Sequence, residues 1–245
     1  MRTPRVYLDR PLQAGMTVEL DERAARHVTQ VLRLRAGDAL VLFDGSGRDY
    51  PAELVAAHRG RTAAATREPG PEEPALVLEA HLWLGVSRGE RMDFALQKAV
   101  ELGVAGIQPL LCERTVVKLD PARRDKRLAH WQGVVVGACE QSGRRRLPRL
   151  AEPRTLAECL AKPPVTGVLL DPTAERTLPE LSRPKGPLTF LIGPEGGISP
   201  AERDAARAAG FVGVRLGPRI LRTETAPLAA LAVAQALWGD LGPGA

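Results

Sequence analysis

The residues of this chain best suited to chemistry lie in two loops of its last quarter. One is Gly193-Pro-Glu-Gly-Gly197, and the other is Gly217-Pro-Arg-Ile-Leu-Arg-Thr-Glu-Thr-Ala226. Each follows a short apolar run of strand character and opens towards a helix. Glycine lets the backbone approach a ligand closely and adopts angles that other residues avoid. Free amides at a helix start favour carboxylate or phosphate. Two such loops, about twenty residues apart, suit a nucleotide-like ligand held mainly by backbone groups. Taken alone, the first loop reads as a tight strand-to-helix turn. The second tips the balance, because an ordinary turn does not need two arginines and a glutamate between an apolar strand and an apolar helix. Arg222 and Glu224 either pair as a surface salt bridge, worth little, or stand beside a reacting group. Thr225 reads as the N-cap of the final helix.

Other chemistries find no support. No G-x-G-x-x-G follows the first strand of the α/β part, and neither a phosphate-binding Walker loop nor a G-x-S-x-G elbow occurs. Cys112, Cys139 and Cys159 lie far apart, and the four histidines form no metal pattern, so no metal is expected. Cys139 has no histidine partner in sight and reads as a buried small hydrophobe. Lys98 and Glu101 share a helical face and suit a plain ion pair as well as a site. No apolar run approaches the ~20 residues of a membrane helix, and no apolar stretch follows the first residues as in a secretory signal. A cytoplasmic protein without a membrane partner is therefore expected.

The elements that must position these loops follow from periodicity and punctuation. Residues 1–70 read as a small β-rich module, with strands at 5–8, 39–43, 50–57 and 62–66, a helix from 22 to about 31 capped by Asp21, and turns at Asp44-Gly-Ser-Gly47 and Arg59-Gly60. Short strands with tight turns suggest a small barrel. Residues 68–74 have linker composition. Beyond them strands and helices alternate. Strands are predicted at 76–84, 104–111, 167–170, 188–192 and 211–216, and helices from a Ser87/Glu90 capping box to Gly103, at 126–142, from the Ser199-Pro200-Glu202 start to Gly210, and at 226–238. Repeated βα units argue for a mostly parallel sheet with helices on both faces, an α/β fold. The charge is uneven. The chain carries +5 overall, whereas residues 114–149 hold ten Lys/Arg against three acids. That local excess suits a polyanionic partner, and Arg114, Arg144, Arg145 and Arg146 are candidate phosphate contacts. A solvated helix face is the bland alternative.

Five segments together resemble one family. They are Gln97-Lys-Ala-Val-Glu-Leu-Gly103, Pro109-Leu-Leu-Cys-Glu-Arg114, Ala138-Cys-Glu-Gln-Ser-Gly-Arg144, the 193–197 loop, and Leu216-Gly-Pro-Arg-Ile-Leu-Arg-Thr-Glu-Thr-Ala226. The resemblance is to the bacterial 16S ribosomal RNA uridine-N3 methyltransferases, the RsmE family of the SPOUT superfamily. It covers about residues 75–240, and the last two motifs carry most of its specificity. The N-terminal stretch, with His27 and residues 31–38, looks like that family's PUA-like RNA-binding module.

The resemblance implies a PUA-like β-barrel at 1–70 and a SPOUT methyltransferase domain with a C-terminal trefoil knot at 75–245. It implies a homodimer with its active site near the subunit interface. The implied reaction uses S-adenosylmethionine to methylate N3 of uridine 1498 in 16S ribosomal RNA of the small subunit. The cofactor would be held by Leu169, Leu170, Gly193, Pro194, Glu195, Gly196, Gly197, Leu216, Gly217, Ile220 and Leu221. Arg222 would stabilise charge or place substrate, Glu224 would act as base or orienter, and Arg114, Glu140, Gln141 and Arg144 would complete the pocket. A SPOUT enzyme for another RNA nucleotide, or a non-catalytic RNA-binding assembly factor, would share the scaffold.

Overall fold

The computed structural model describes residues 3–58, 61–117 and 120–242. The predicted turn at Arg59-Gly60 and the basic Lys118 lie outside the described residues. The chain divides into two compact units, residues 1–75 with 136–147, and 76–135 with 148–245. The return of 136–147 to the first unit is invisible to a linear division at the 68–74 linker.

The first unit holds β1 (Arg5–Tyr7), β2 (Thr17–Glu19), α1 (Glu22–Arg26), β3 (Ala39–Phe43), β4 (Asp49–His58) and β5 (Arg61–Thr66). They form a five-stranded sheet in the order β1-β3-β4-β5-β2. Only β1 and β3 run parallel. The short β2 has no sequence signal strong enough to be predicted. Alternation along β4 buries Tyr50, Ala52 and Leu54 on one face, against Val6, Leu40, Leu42 and Ala64. The hairpin between β3 and β4 turns through Gly45 and Gly47, whose φ of +84° and +101° suit glycine. Asp21 caps α1 as expected, accepting from Ala24 N at 2.8 Å. The helix continues as a π-helical turn, His27–Val31.

Arg5 explains why 136–147 belongs to this unit. Its buried guanidinium donates to the Cys139 carbonyl at 2.7 Å and the Arg144 carbonyl at 3.1 Å. It also pairs with Asp49 at 2.7 Å and lies 4.5 Å from the Phe43 ring centre. The Cys139 carbonyl lies in the last turn of a helix and the Arg144 carbonyl just beyond it, at the end of the helix dipole that favours a cation.

The second unit holds β6 (Ala80–Gly85), α2 (Glu90–Glu101), β7 (Gly106–Leu111), most of α3 (Pro121–Ser142), β8 (Arg149–Leu150), β9 (Arg154–Thr155), α4 (Leu156–Leu160), β10 (Thr166–Leu170), β11 (Leu188–Ile192), α5 (Pro200–Ala208), β12 (Val212–Val214) and α6 (Thr225–Trp238). Its parallel sheet runs β12-β10-β11-β6-β7-β8, with β9 also paired to β7. All five residues of β11 are buried, as an interior parallel strand requires. The start of α5 is the predicted one. Ser199 and Glu202 close a capping box around Pro200, and Gly210 follows the helix at φ +92°.

Two other helix starts differ from expectation. The Ser87/Glu90 capping box does not form. The helix begins only at Glu90, behind Gly89 at φ +49°, and the Ser87 hydroxyl is buried without a hydrogen-bond partner among the described residues. Thr225 is the first residue of α6 rather than its cap, since Glu224 occupies the cap position without a side-chain bond. The helix α4, unpredicted because it is only one turn long, carries its own Thr155/Glu158 capping box. Among the described residues no helix is long and apolar enough to cross a membrane.

Candidate functional site

The carboxyl ends of β10, β11 and β12 open onto a cavity of about 710 Å³. Ligands of open parallel sheets bind outside the carboxyl ends of strands, and the volume falls within the ordinary range of ligand pockets. Leu169 to Thr173 line it at the end of β10, Ile192 to Glu195 with Gly197 and Ile198 at the end of β11, and Val214, Leu216 and 219–224 at and beyond the end of β12. Both predicted loops therefore meet around one space. The Thr223 hydroxyl joins them, donating to the Gly193 carbonyl at 2.9 Å.

Of the predicted cofactor residues, Leu169, Leu170, Gly193, Pro194, Glu195, Gly197, Leu216, Ile220 and Leu221 line the cavity, whereas Gly196 and Gly217 do not. Gly196 serves the loop from behind. A Cβ there would stand 2.8 Å from the Arg114 carbonyl oxygen and 2.9 Å from its Cβ. Gly217 adopts φ +76° and turns the chain out of β12. The backbone of Gly193 is close-packed too, with Gly197 C and Ile198 N each 2.9 Å from where its Cβ would be.

The Glu195 side chain is committed to holding this loop. It accepts from Arg88 N at 3.0 Å and Arg91 Nη1 at 3.3 Å, next to the uncapped start of α2. Burial pushes its pKa up, but the Arg88 amide and the Arg91 guanidinium outweigh that and hold it below the usual carboxylate range.

Asp171 has no motif to announce it and was not predicted. It is 2% exposed and lines the cavity. One oxygen accepts from Thr173 N at 3.0 Å and Thr173 Oγ1 at 2.7 Å. The other meets Arg207 at 3.1 Å and Arg203 at 3.5 Å, both on α5. Burial raises its pKa, yet these donors lower it below the ordinary Asp value. Asp171→Asn is expected to cost about 2 kcal/mol at neutral pH, typical for losing hydrogen bonds to a charged group. Because the native pKa is depressed, the contribution is complete above the unfolded pKa of ~3.9 and is lost as pH falls through the native value. Denaturant unfolding should therefore show a gap between wild type and variant that closes on acidification, and equal stabilities at pH 7 would refute the role.

Arg222 and Glu224 both line the cavity, and no ion pair joins them among the described residues. The Arg222 side chain is exposed. Glu224 Oε2 is buried without a hydrogen-bond partner among the described residues, an acceptor aimed at no protein donor. Arg114 also lines the cavity, with Nη1 3.3 Å from the Gly196 carbonyl.

The other predicted contacts are arranged differently. Glu140, Gln141 and Arg144 lie in the first unit, where Glu140 accepts from Tyr7 N at 3.0 Å and Arg23 at 3.1 Å. Arg145 meets Asp49 at 3.3 Å and the Pro71 carbonyl at 2.8 Å, Arg146 pairs with Glu72, and Arg144 stands 4.0 Å from Glu73. The charge of Arg144 to Arg146 is thus answered locally by acids that include two residues of the predicted linker. Lys98 and Glu101 form the plain ion pair, at 2.8 Å. Cys139 is buried, and burial pushes its thiol up to about 11, so it is no nucleophile at neutral pH. Among the described residues no cluster of His, Cys, Asp or Glu could hold a metal ion.

Residues 73–235 match the family described as RNA methyltransferase domain, and residues 20–61 match RNA methyltransferase PUA domain. Ribosomal RNA small subunit methyltransferase E of Buchnera aphidicola from Schizaphis graminum is 31% identical over 98% of both chains. The protein of that name from Mycobacterium tuberculosis is 34% identical over 92% of this chain and 88% of its own. Among solved structures, ribosomal RNA small subunit methyltransferase E of Neisseria gonorrhoeae bound to S-adenosyl methionine is 42% identical and superimposes with a TM-score of 0.90, covering 98% of this chain and 99% of that one. A Legionella pneumophila protein in complex with the bound cofactor SAM is 36% identical with a TM-score of 0.94, covering 98% and 100%.

Proposed function

The chain belongs to the RNA methyltransferase family, and we propose that it transfers a methyl group from S-adenosylmethionine to N3 of a uridine, position 1498, in 16S ribosomal RNA of the small subunit. The single observation that carries this reading is the cavity at the ends of β10, β11 and β12, built from both motif loops and lined in part by exposed arginines. Its residues fit the cofactor. Small residues and main chain at 193–197 admit a close approach, Leu169, Leu170, Leu216 and Leu221 supply apolar walls for an adenine ring, and the unpartnered Glu224 oxygen offers a place for a ligand donor. When bound there, the cofactor supplies an electrophilic methyl group.

The protein's own residues would manage the acceptor. Uridine N3 must lose a weakly acidic proton before or during attack, and a fixed cation favours the developing anion. Arg222 would do this, a reading supported by its position in the cavity wall. Glu224 would take the N3 proton or orient the base, provided it lies within hydrogen-bond reach in the complex. The threaded C-terminal path belongs to the same reading. In its support, the strand order takes the chain to the edge at β12, and Thr223 then brings it back to Gly193 beside β11. An experimental chain trace from 170 to 224 checks the threading. A homodimer is likewise part of this reading, supported by the apolar residues left exposed on α2 and α6, Phe94 and Leu237, and light scattering tests it.

The deciding experiment is transfer of labelled methyl to unmodified small ribosomal subunits, with the product nucleotide mapped by mass spectrometry. Label on N3 of the proposed uridine is expected. Label on another nucleotide would reassign the substrate, and no label despite tight cofactor binding would sink the enzymatic reading.

A further inference from the structure

Five arginines line the cavity: Arg91, Arg114, Arg203, Arg219 and Arg222. Their partners separate them. Arg91 meets Glu195 at 3.3 Å, Arg203 meets Asp171 at 3.5 Å, and Arg114 lies on the Gly196 carbonyl at 3.3 Å. Arg219 is exposed, and among the described residues no acid pairs with it. It sits at the tip of the loop that leaves β12, one residue before Ile220, which is 86% exposed. A cation without a protein counter-charge next to an uncovered apolar side chain, at the mouth of a cavity, offers the two surfaces a nucleotide presents in reverse. Phosphate oxygens take the guanidinium in a bidentate geometry, and a base face packs on an apolar side chain. The arginines expected from sequence to meet phosphate, Arg144 to Arg146, are by contrast within reach of Asp49, Glu72 and Glu73.

We propose that Arg219 seats a backbone phosphate of the RNA beside the target nucleotide, so that the loop closing the cavity also grips the substrate strand. The proposal rests on the RNA-methyltransferase reading but concerns grip rather than chemistry. Nothing in it requires Arg219 to touch the cofactor or the reacting atoms. A phosphate contact releases counterions on binding, so its loss changes the dependence of affinity on salt.

The test measures binding of wild type, Arg219→Ala and Arg219→Lys to unmodified small subunits across a salt series. Methyl-transfer kinetics, cofactor calorimetry and light scattering are run in parallel. For Arg219→Ala, RNA affinity should fall about tenfold, as for loss of one charge-assisted hydrogen bond. The log–log salt slope should shrink by about one. KM for the subunits should rise while kcat at saturation and cofactor affinity stay put. Arg219→Lys should restore the slope, because a point charge still releases counterions, and recover affinity only partly. An unchanged slope and KM in Arg219→Ala would overturn the proposal. So would a KM effect explained by lost cofactor binding or altered oligomeric state. The salt slope is read without turnover. If wild type transferred no methyl, the enzymatic reading would fail while the binding series still judged Arg219.

Discussion

Arg222→Ala is expected to slow single-turnover methylation by about 10²–10³-fold, the usual loss when one donor is removed from a developing charge. Folding and cofactor binding should stay near wild type. The structure explains why the two effects should separate. The side chain is exposed and faces the cavity, so its removal opens no hole in the core. What Arg222 contributes to local structure is its carbonyl, which accepts from Thr225 N and Ala226 N at 2.9 Å each and so starts α6. Alanine keeps that carbonyl. Arg222→Lys retains the charge but not the planar fork, and should also be slow if donor geometry matters. The measurement is made at saturating cofactor and RNA. A wild-type rate would show Arg222 to be dispensable for chemistry, and loss of cofactor affinity alone would move it to the binding residues.

Gly85→Ala should have the other large effect, at a residue that no motif marks. Gly85 ends β6, and the turn at Gly193-Pro194 lies directly on it. A Cβ would stand 2.6 Å from Pro194 Cδ and 2.7 Å from the Gly193 carbonyl carbon, and nearer still to Pro194 N. Backbone cannot swing aside as a long side chain can, so the 193–197 loop must move. Overpacking of this kind costs about 1–3 kcal/mol in stability. If that strain is relieved by shifting the loop, cofactor affinity should drop by about tenfold or more, since about 1.4 kcal/mol is one decade. Calorimetry for the cofactor, together with a thermal melt, reads both. Wild-type affinity in a folded Gly85→Ala protein would mean that the 193–197 backbone does not hold the cofactor. Gly196→Val should weaken binding too, but by pushing the loop off Arg114 rather than by filling the cavity.

Much of this molecule is legible from its chain alone, because much of it is locally encoded. The alternation of strands and helices after residue 76 is carried by apolar period. The start of α5 is carried by Ser199, Pro200 and Glu202 within one turn, and its end by Gly210. The 193–197 and 217–226 loops stand out by composition, and they do meet at one cavity. The local signals fail where several sites compete for one helix start. At α2, the Gly89 conformation and Glu195, 107 residues from Arg88 in sequence, took the place of the Ser87 box.

What tertiary structure alone decided are the pairings between distant residues. No spacing rule places β10 between β12 and β11, and that order is what brings Asp171 against α5 and three strand ends around one cavity. Charge provides the plainest case. In sequence, Arg144 to Arg146 look like free phosphate ligands and Arg219 like part of a loop. In the fold, Asp49, Glu72 and Glu73 stand against the first group, while among the described residues no acid pairs with the second. The sequence determines which side chains carry charge. Only the three-dimensional arrangement determines whether each charge is answered, because Coulomb attraction depends on separation in space and is indifferent to separation along the chain.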